Sequence, residues 1–404
     1  MGTYCLKWSI ATLMLAIIVY LNISCGGGNV IVTWNPEEVQ IPSNNFKLKV
    51  FVENSGSMDG YMCAGAELKD AVYSYSSTLS SYADTTELHY INSKIIPYRD
   101  EIKSFISDLT PQKFRSAGGD RSNSDIAAMF EEILSKTDDN TVSIFVSDCI
   151  LDVPNGAATK YFENRSIAIR NAFTKYLNRH TDLGVEIFRL ESTFNGRYYY
   201  SSGSEVLNDT KRPYYMWVIG NKNILAYVNK EVPFSEIKHG VENYFAFSTS
   251  SIVPFEITNK YGMAKGNQCI CTKNRQGEYE FLIKTNLQSR LHESYILCSS
   301  ANYSTLNSKV RVNGITEIST SSQYTHIINM CIDSRNDIKG FAERIVLKPM
   351  YTPLWLEEAN DDTGVEVKKN INKTTGIKYL IQGVADAYKK QQQLCEFDFV
   401  VSNR

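Results

Sequence analysis

Residues 46–57 constrain the fold more than any other stretch. Phe46, Leu48, Val50 and Val52 recur at every second position, the period of a β-strand. The run then enters Glu53-Asn54-Ser55-Gly56-Ser57. A strand that ends this way in an α/β domain places short oxygen-bearing side chains at the carboxyl edge of the sheet, where open α/β folds bind their ligands. Gly56 lets the chain turn sharply there. An oxygen-only set of a carboxylate and two hydroxyls suits a hard cation such as Mg²⁺.

From residue 45 to about 231 the sequence alternates strand-like and helix-like runs. The strand-like runs are 46–52, 87–91, 142–146, 185–190 and 214–219. Between them, 66–80, 101–109, 125–134 and 167–177 read as helices. Ile126, Met129, Phe130, Ile133 and Leu134 give the third of these a helical apolar period. Such alternation predicts an α/β fold with a doubly wound, mostly parallel sheet covered on both faces.

From residue 232 the texture changes to short alternating segments at 252–257, 269–272, 278–283, 309–312, 326–332 and 345–347, separated by Gly, Asn and Ser. This predicts a β-rich, sandwich-like domain over 232–404, with a late amphipathic helix at 377–388 and a final strand at 396–401.

The N-terminus has a different character. Lys7 precedes an apolar run over 8–21, the length of a signal-peptide core. Ser24-Cys25-Gly26-Gly27-Gly28 follows. A small residue, then Cys, then glycines resembles a bacterial lipoprotein cleavage site, although Asn22 stands where Leu is usual. The resemblance implies a signal peptide over 1–24, a lipidated Cys25, a tether over 25–44, and residence in the cell envelope on the outer-membrane or periplasmic side. The competing reading is an uncleaved anchor helix.

With a net charge of −2 and no long basic run, nothing points to nucleic acid, and no such partner is expected. Beyond Cys5 and Cys25, seven cysteines are scattered too widely for a disulfide framework, so buried thiols are expected. The five His residues are dispersed, and no metalloprotease, P-loop, dinucleotide or nucleophile-elbow motif occurs.

Two further loops repeat the chemistry of the first. Gly118-Gly119-Asp120-Arg121-Ser122-Asn123-Ser124 leads into the helix near Asp125, and Ile144-Phe145-Val146-Ser147 ends on Asp148. With Glu53, Ser55 and Ser57, these pieces resemble the metal-ion-dependent adhesion site of the von Willebrand factor A domain family, over about residues 45–230. The resemblance implies Mg²⁺, or Mn²⁺, held by Glu53, Ser55, Ser57, Ser122 and Asp148. Ser122 is the assigned hydroxyl because Ala127 then falls on the family's helix Ala; Ser124 is the alternative, or a helix cap. Two departures stand out: Glu53 replaces Asp, and Cys149 replaces a Gly whose small size keeps the site open. Asp59 and Asp152 are candidate outer carboxylates, and Tyr198-Tyr199-Tyr200 is a candidate contact surface.

The function this implies is not enzymatic. It is cation-dependent binding of a protein or glycan bearing an acidic group, by an envelope protein held to the membrane through lipid. The alternatives are an enzyme, such as a hydrolase, with its site in the β-rich half, and a structural envelope component with a degenerate metal site.

Overall fold

The computed structural model describes residues 29–35 and 45–403, apart from 123, 152, 154–157, 201–202, 251–252, 319–322, 334–337, 351, 366–368 and 391–393. The apolar run expected to be a signal peptide, Cys25 and Asp152 therefore lie outside the described residues. Among the described residues, no helix is long and apolar enough to cross a membrane.

The strands in chain order are β1 (Val30–Trp34), β2 (Lys47–Glu53), β3 (Thr85–Ile91), β4 (Ile95–Tyr98), β5 (Thr141–Ser147), β6 (Leu183–Tyr200), β7 (Gly203–Asn221), β8 (Asn243–Ala246), β9 (Phe255–Thr258), β10 (Gln268–Ile270), β11 (Thr272–Lys273), β12 (Tyr279–Thr285), β13 (Tyr303–Thr305), β14 (Val310–Glu317), β15 (His326–Ile332), β16 (Phe341–Leu347), β17 (Asn360–Asp361), β18 (Thr374–Thr375) and β19 (Cys395–Asn403). The α-helices are α1 (Glu67–Ser80), α2 (Ile102–Asp108), α3 (Pro111–Ser116), α4 (Ile126–Lys136), α5 (Ala158–Leu177), α6 (Lys222–Glu231), α7 (Ser294–Leu297), α8 (Trp355–Ala359) and α9 (Ile377–Tyr388).

The first half builds a seven-stranded sheet in the order β4-β3-β2-β5-β7-β6-β8. Only β2 with β3 and β2 with β5 pair in parallel; the other four pairings are antiparallel. The doubly wound, mostly parallel sheet expected from the sequence is therefore corrected to a mixed sheet. The cause is one long hairpin. The described residues of 191–213 hold no crossover helix, and β6 pairs with β7 antiparallel from Leu183↔Asn221 to Tyr200↔Gly203. β7 then lies between β5 and β6 and keeps those two co-directional strands apart.

The second half is a sandwich of two antiparallel sheets, β10-β1-β19-β16-β13 and β11-β12-β15-β14, with β9 added on β12. Val30, Val32, Phe281, Ile283, Ile328, Phe397 and Phe399 share its core, and Phe281 meets Phe399 edge-on at 5.3 Å between the sheets. Residues 30–34, expected as part of a loose tether, are a strand of this core. Alternation of Val30, Val32 and Trp34 buries one face of β1 against its neighbours.

The halves interlock. β8, beyond the expected boundary at 231, adds to the seven-stranded sheet beside β6. The late helix α9 returns to pack on α5, with Ile377, Leu380, Ile381 and Val384 in the core that contains Phe162, Ile169 and Trp217. The seven described cysteines are free thiols, five of them buried.

Candidate functional site

The site follows from how the chain winds around β2 and β5. Helix α1, after β2, packs Leu68, Val72 and Leu79 with Leu48 and Val50 on one face of the sheet. Helix α5, after β5, packs Phe162, Ile169 and Phe173 on the other face, in the core that holds Phe51 and Phe145 together with Ile126, Phe130 and Ile133 of α4. Chains that leave adjacent parallel strands toward opposite faces open a crevice at the strands' carboxyl ends. Glu53 ends β2 and Asp148 follows β5, so both carboxylates lie at that crevice.

Glu53 is completely buried. Ser124 Oγ donates to its Oε1 at 2.6 Å, Ser147 Oγ donates to its Oε2, and the Ser55 hydroxyl also reaches the carboxyl group. Burial, reinforced by the charge of Asp148, pushes the Glu53 pKa upward against these hydroxyls. Asp148, also buried, accepts from the Ile150 amide at 3.1 Å. Ser55 and Ser57 complete the first loop with their hydroxyls 2.9 Å apart. Gly56 turns the chain at φ −65°, a conformation open to any residue, so the turn does not depend on glycine.

Five of the six side chains that converge here are read from the sequence as ligands or as an alternative: Glu53, Ser55, Ser57, Asp148 and Ser124. Ser122 is not among them. It is exposed, and its hydroxyl and amide both bond Asp120 Oδ1, at 2.6 and 2.9 Å. Ser124 takes its place, and the cap of α4 is Asp125, which accepts from Ala128 N at 3.1 Å and from Arg165 Nη1 at 2.6 Å. The sixth side chain, Ser147, left a legible signal: a hydroxyl directly after the apolar run Ile144-Phe145-Val146 of a central strand.

Cys149 does not crowd the crevice. Its φ of 55° is the left-handed conformation that favours glycine, and its side chain turns into the opposite core. There its sulfur accepts from Trp217 Nε1 at 3.3 Å, and burial pushes the thiol pKa upward.

Two arginines missed in the sequence frame the site. Arg121 Nε donates to Asn54 Oδ1 at 2.6 Å, and its Nη2 donates to Ser55 O at 3.0 Å and to Asp59. Asp59 also takes Arg115 Nε at 2.8 Å, so it is a partner of arginines. On the other side, buried Arg212 feels the charge of Asp148, donates to Ile371 O at 2.6 Å and stacks over the Tyr198 ring at 4.2 Å. The distal hairpin thus leans over the first loop, bringing Tyr199 beside Gly56.

Two carboxylates and four hydroxyls form an all-oxygen donor set whose chemistry fits Mg²⁺ or Mn²⁺. Among the described residues, no group of three or more His, Cys, Asp or Glu gathers to hold a metal, so any cation site here relies on hydroxyls. No protein-family model matches the chain, and no curated protein or solved structure matches it.

Proposed function

We propose that this chain is a bacterial envelope lipoprotein that binds a divalent cation between β2 and β5 and, through it, an acidic group of a protein or glycan partner. One observation carries the reading. Two buried carboxyl groups, Glu53 and Asp148, lie at the ends of adjacent strands among Ser55, Ser57, Ser124 and Ser147, and burial first, then the charge of Asp148, raises the Glu53 pKa. A divalent cation is the counter-charge that relieves such a pair. When bound, it supplies a Lewis-acidic position for a partner's carboxylate. Asp148 and the serine hydroxyls hold it, while Arg121 fixes the backbone of the first loop. The likeness to the von Willebrand factor A adhesion site rests on these three loops and does not extend to the whole sheet.

A second reading has its own support. Arg212 already supplies a buried positive charge that Asp148 senses, as expected of a structural component whose metal site has decayed.

Calorimetric titration of Mg²⁺ and Mn²⁺ into the full chain, beside Ser55→Ala and Asp148→Asn, separates the two. Saturable binding lost in both variants supports the cation site. Absence of binding in the wild-type chain overturns it and favours the structural role.

A further inference from the structure

We propose that the end of the sandwich where β1 begins is a docking surface for anionic phospholipid headgroups, and that the sandwich is a pedestal between the bilayer and the α/β half. The inference rests on lipidation of Cys25, part of the function proposed above.

The reach of the chain fixes the geometry. Only residues 26–29 separate Cys25 from Val30. A fully extended chain spans at most ~3.6 Å per residue, so Val30 stands within about 18 Å of a lipidated Cys25. Val30 is not free to swing away: it pairs with Asn403, and the Cys271 amide donates to its carbonyl at 2.9 Å.

Strand register shows which side chains share this end. In the first sheet, Asn403 Nδ2 donates to Ile338 O at 2.6 Å, placing Lys339 beside the start of β1. From Cys271 the chain crosses to the second sheet, where Lys273 pairs with Tyr279, Tyr279 with Ile332 and Ile332 with Val310. The turn carrying Arg275 and the approach carrying Lys309 project from that level. Lys273, Arg275, Lys309, Arg311 and Lys339 therefore surround the end, against the carboxylates of Glu278, Glu280 and Asp333.

Those carboxylates are engaged. Arg311 holds Glu278 through two bonds of 2.7 Å, Asn274 Nδ2 bridges Glu278 and Glu280 at 3.0 Å each, and Asp333 lies in the field of Arg311. Lys273, Arg275 and Lys339 remain exposed, with Ile270, 43% exposed, beside them. Cations around an exposed aliphatic, next to a lipid anchor, are the chemistry that meets an anionic bilayer surface.

The opposite end joins the α/β half. Arg290, buried there, donates to Thr249 Oγ1 at 3.1 Å and to Ser250 O, and the approach to β19 passes the same point at Leu394. The nine residues of β19 separate the ends by about 30 Å, at ~3.3 Å per residue. The crevice of Glu53 and Asp148 is thereby carried clear of the membrane.

The test uses the full chain, expressed where lipoproteins are processed and labelled with a fatty-acid analogue, beside Cys25→Ser. The labelled protein is reconstituted in phosphatidylcholine vesicles and in vesicles of equal parts phosphatidylcholine and phosphatidylglycerol. Amide exchange over 273–277, 309–311 and 338–341 is expected to slow in the anionic vesicles. Each cation near such a surface favours docking by about fivefold, so Lys273→Glu, Arg275→Glu, Lys309→Glu and Lys339→Glu together are expected to abolish the difference. Lys273→Ala with Arg275→Ala, a milder pair, is expected to reduce it. Label at Cys25 with exchange indifferent to headgroup overturns the docking surface and leaves the anchor standing. No label at Cys25 overturns the anchor, and the inference with it.

Discussion

Ser124 donates to Glu53 across 2.6 Å although the two residues lie 71 positions apart. This bond decides which serine of the second loop serves the crevice, because Ser122, two residues earlier, is bound to Asp120 in solvent. Ser124→Ala is expected to weaken cation binding at least about tenfold, and also to destabilise the fold by ~1–3 kcal/mol by leaving a buried carboxyl group short of a donor. Ser122→Ala is expected to change binding less than twofold, roughly the effect of a surface substitution. Calorimetry with Mg²⁺ and thermal unfolding of both variants check this, and equal losses in the two would contradict the assignment.

Arg121 is held by its fork. It binds a side-chain oxygen of Asn54, the backbone of Ser55 and the carboxylate of Asp59 together. A lysine ammonium cannot reproduce that planar pattern. Arg121→Lys is therefore expected to lose about 1.5–3 kcal/mol in denaturant unfolding, close to the loss in Arg121→Ala. Full stability in the lysine variant would show that charge alone suffices.

Gly383 sits within α9, where alanine ordinarily strengthens a helix by about 1 kcal/mol. Here the sign reverses. A Cβ at Gly383 would stand 2.5 Å from Ser166 O and 3.0 Å from Ile169 Cβ on α5. Gly383→Ala is expected to destabilise by ~1–3 kcal/mol through overpacking. Hydrogen exchange of the amides of α5 and α9 locates the damage, and a stabilised variant would mean that the two helices pack elsewhere in solution.

Glu186 gives the fold a pH dependence. Burial pushes its pKa up to about 8, despite a bond of 2.6 Å from Asn229 Nδ2 and the nearby charge of Arg290. A carboxyl whose folded pKa lies above its unfolded value contributes stability at low pH, which is lost as pH rises toward the folded pKa. The thermal midpoint is expected to fall between about pH 4.5 and 8 and then level off. Glu186→Gln is expected to reduce this slope, to which the raised Glu53 also contributes, and to raise the midpoint at slightly alkaline pH by a few °C, roughly 1 kcal/mol or more. An unchanged slope in the variant would assign the pH dependence to other groups.

Local pattern in the sequence located most elements, because strand and helix periods are written in neighbouring residues. Alternation marked β2 and the sandwich strands, and the apolar period of 126–134 marked α4. Pairing was less legible. Strands at 185–190 and 214–219 are buried on both faces, as parallel strands are, yet they belong to one antiparallel hairpin whose polar distal half reads as loop. Strand β1 was hidden for a similar reason: five residues flanked by glycines and prolines gain their meaning from a partner at the far end of the chain. In the site, side-chain type identified Glu53, Ser55, Ser57 and Asp148. Choosing Ser124 over Ser122 required knowing that Asp125 caps α4 and that Asp120 occupies Ser122. Arg121 and Arg212 carried no local signal, since their partners are distant in sequence.

The pairing of Val30–Trp34 with β19 has a kinetic meaning. A nascent chain makes β1 early and, although β10 can pair with one of its edges, must hold the other edge open until residues 399–403 are synthesised. Closing so large a loop is slow, because chain entropy is lost before the contacts are gained. The seven-stranded sheet, whose strands all lie within 47–246, can assemble first. The sandwich is then the last unit to close, and a chain shortened by a few C-terminal residues would expose β1 and its apolar face as an unpaired edge.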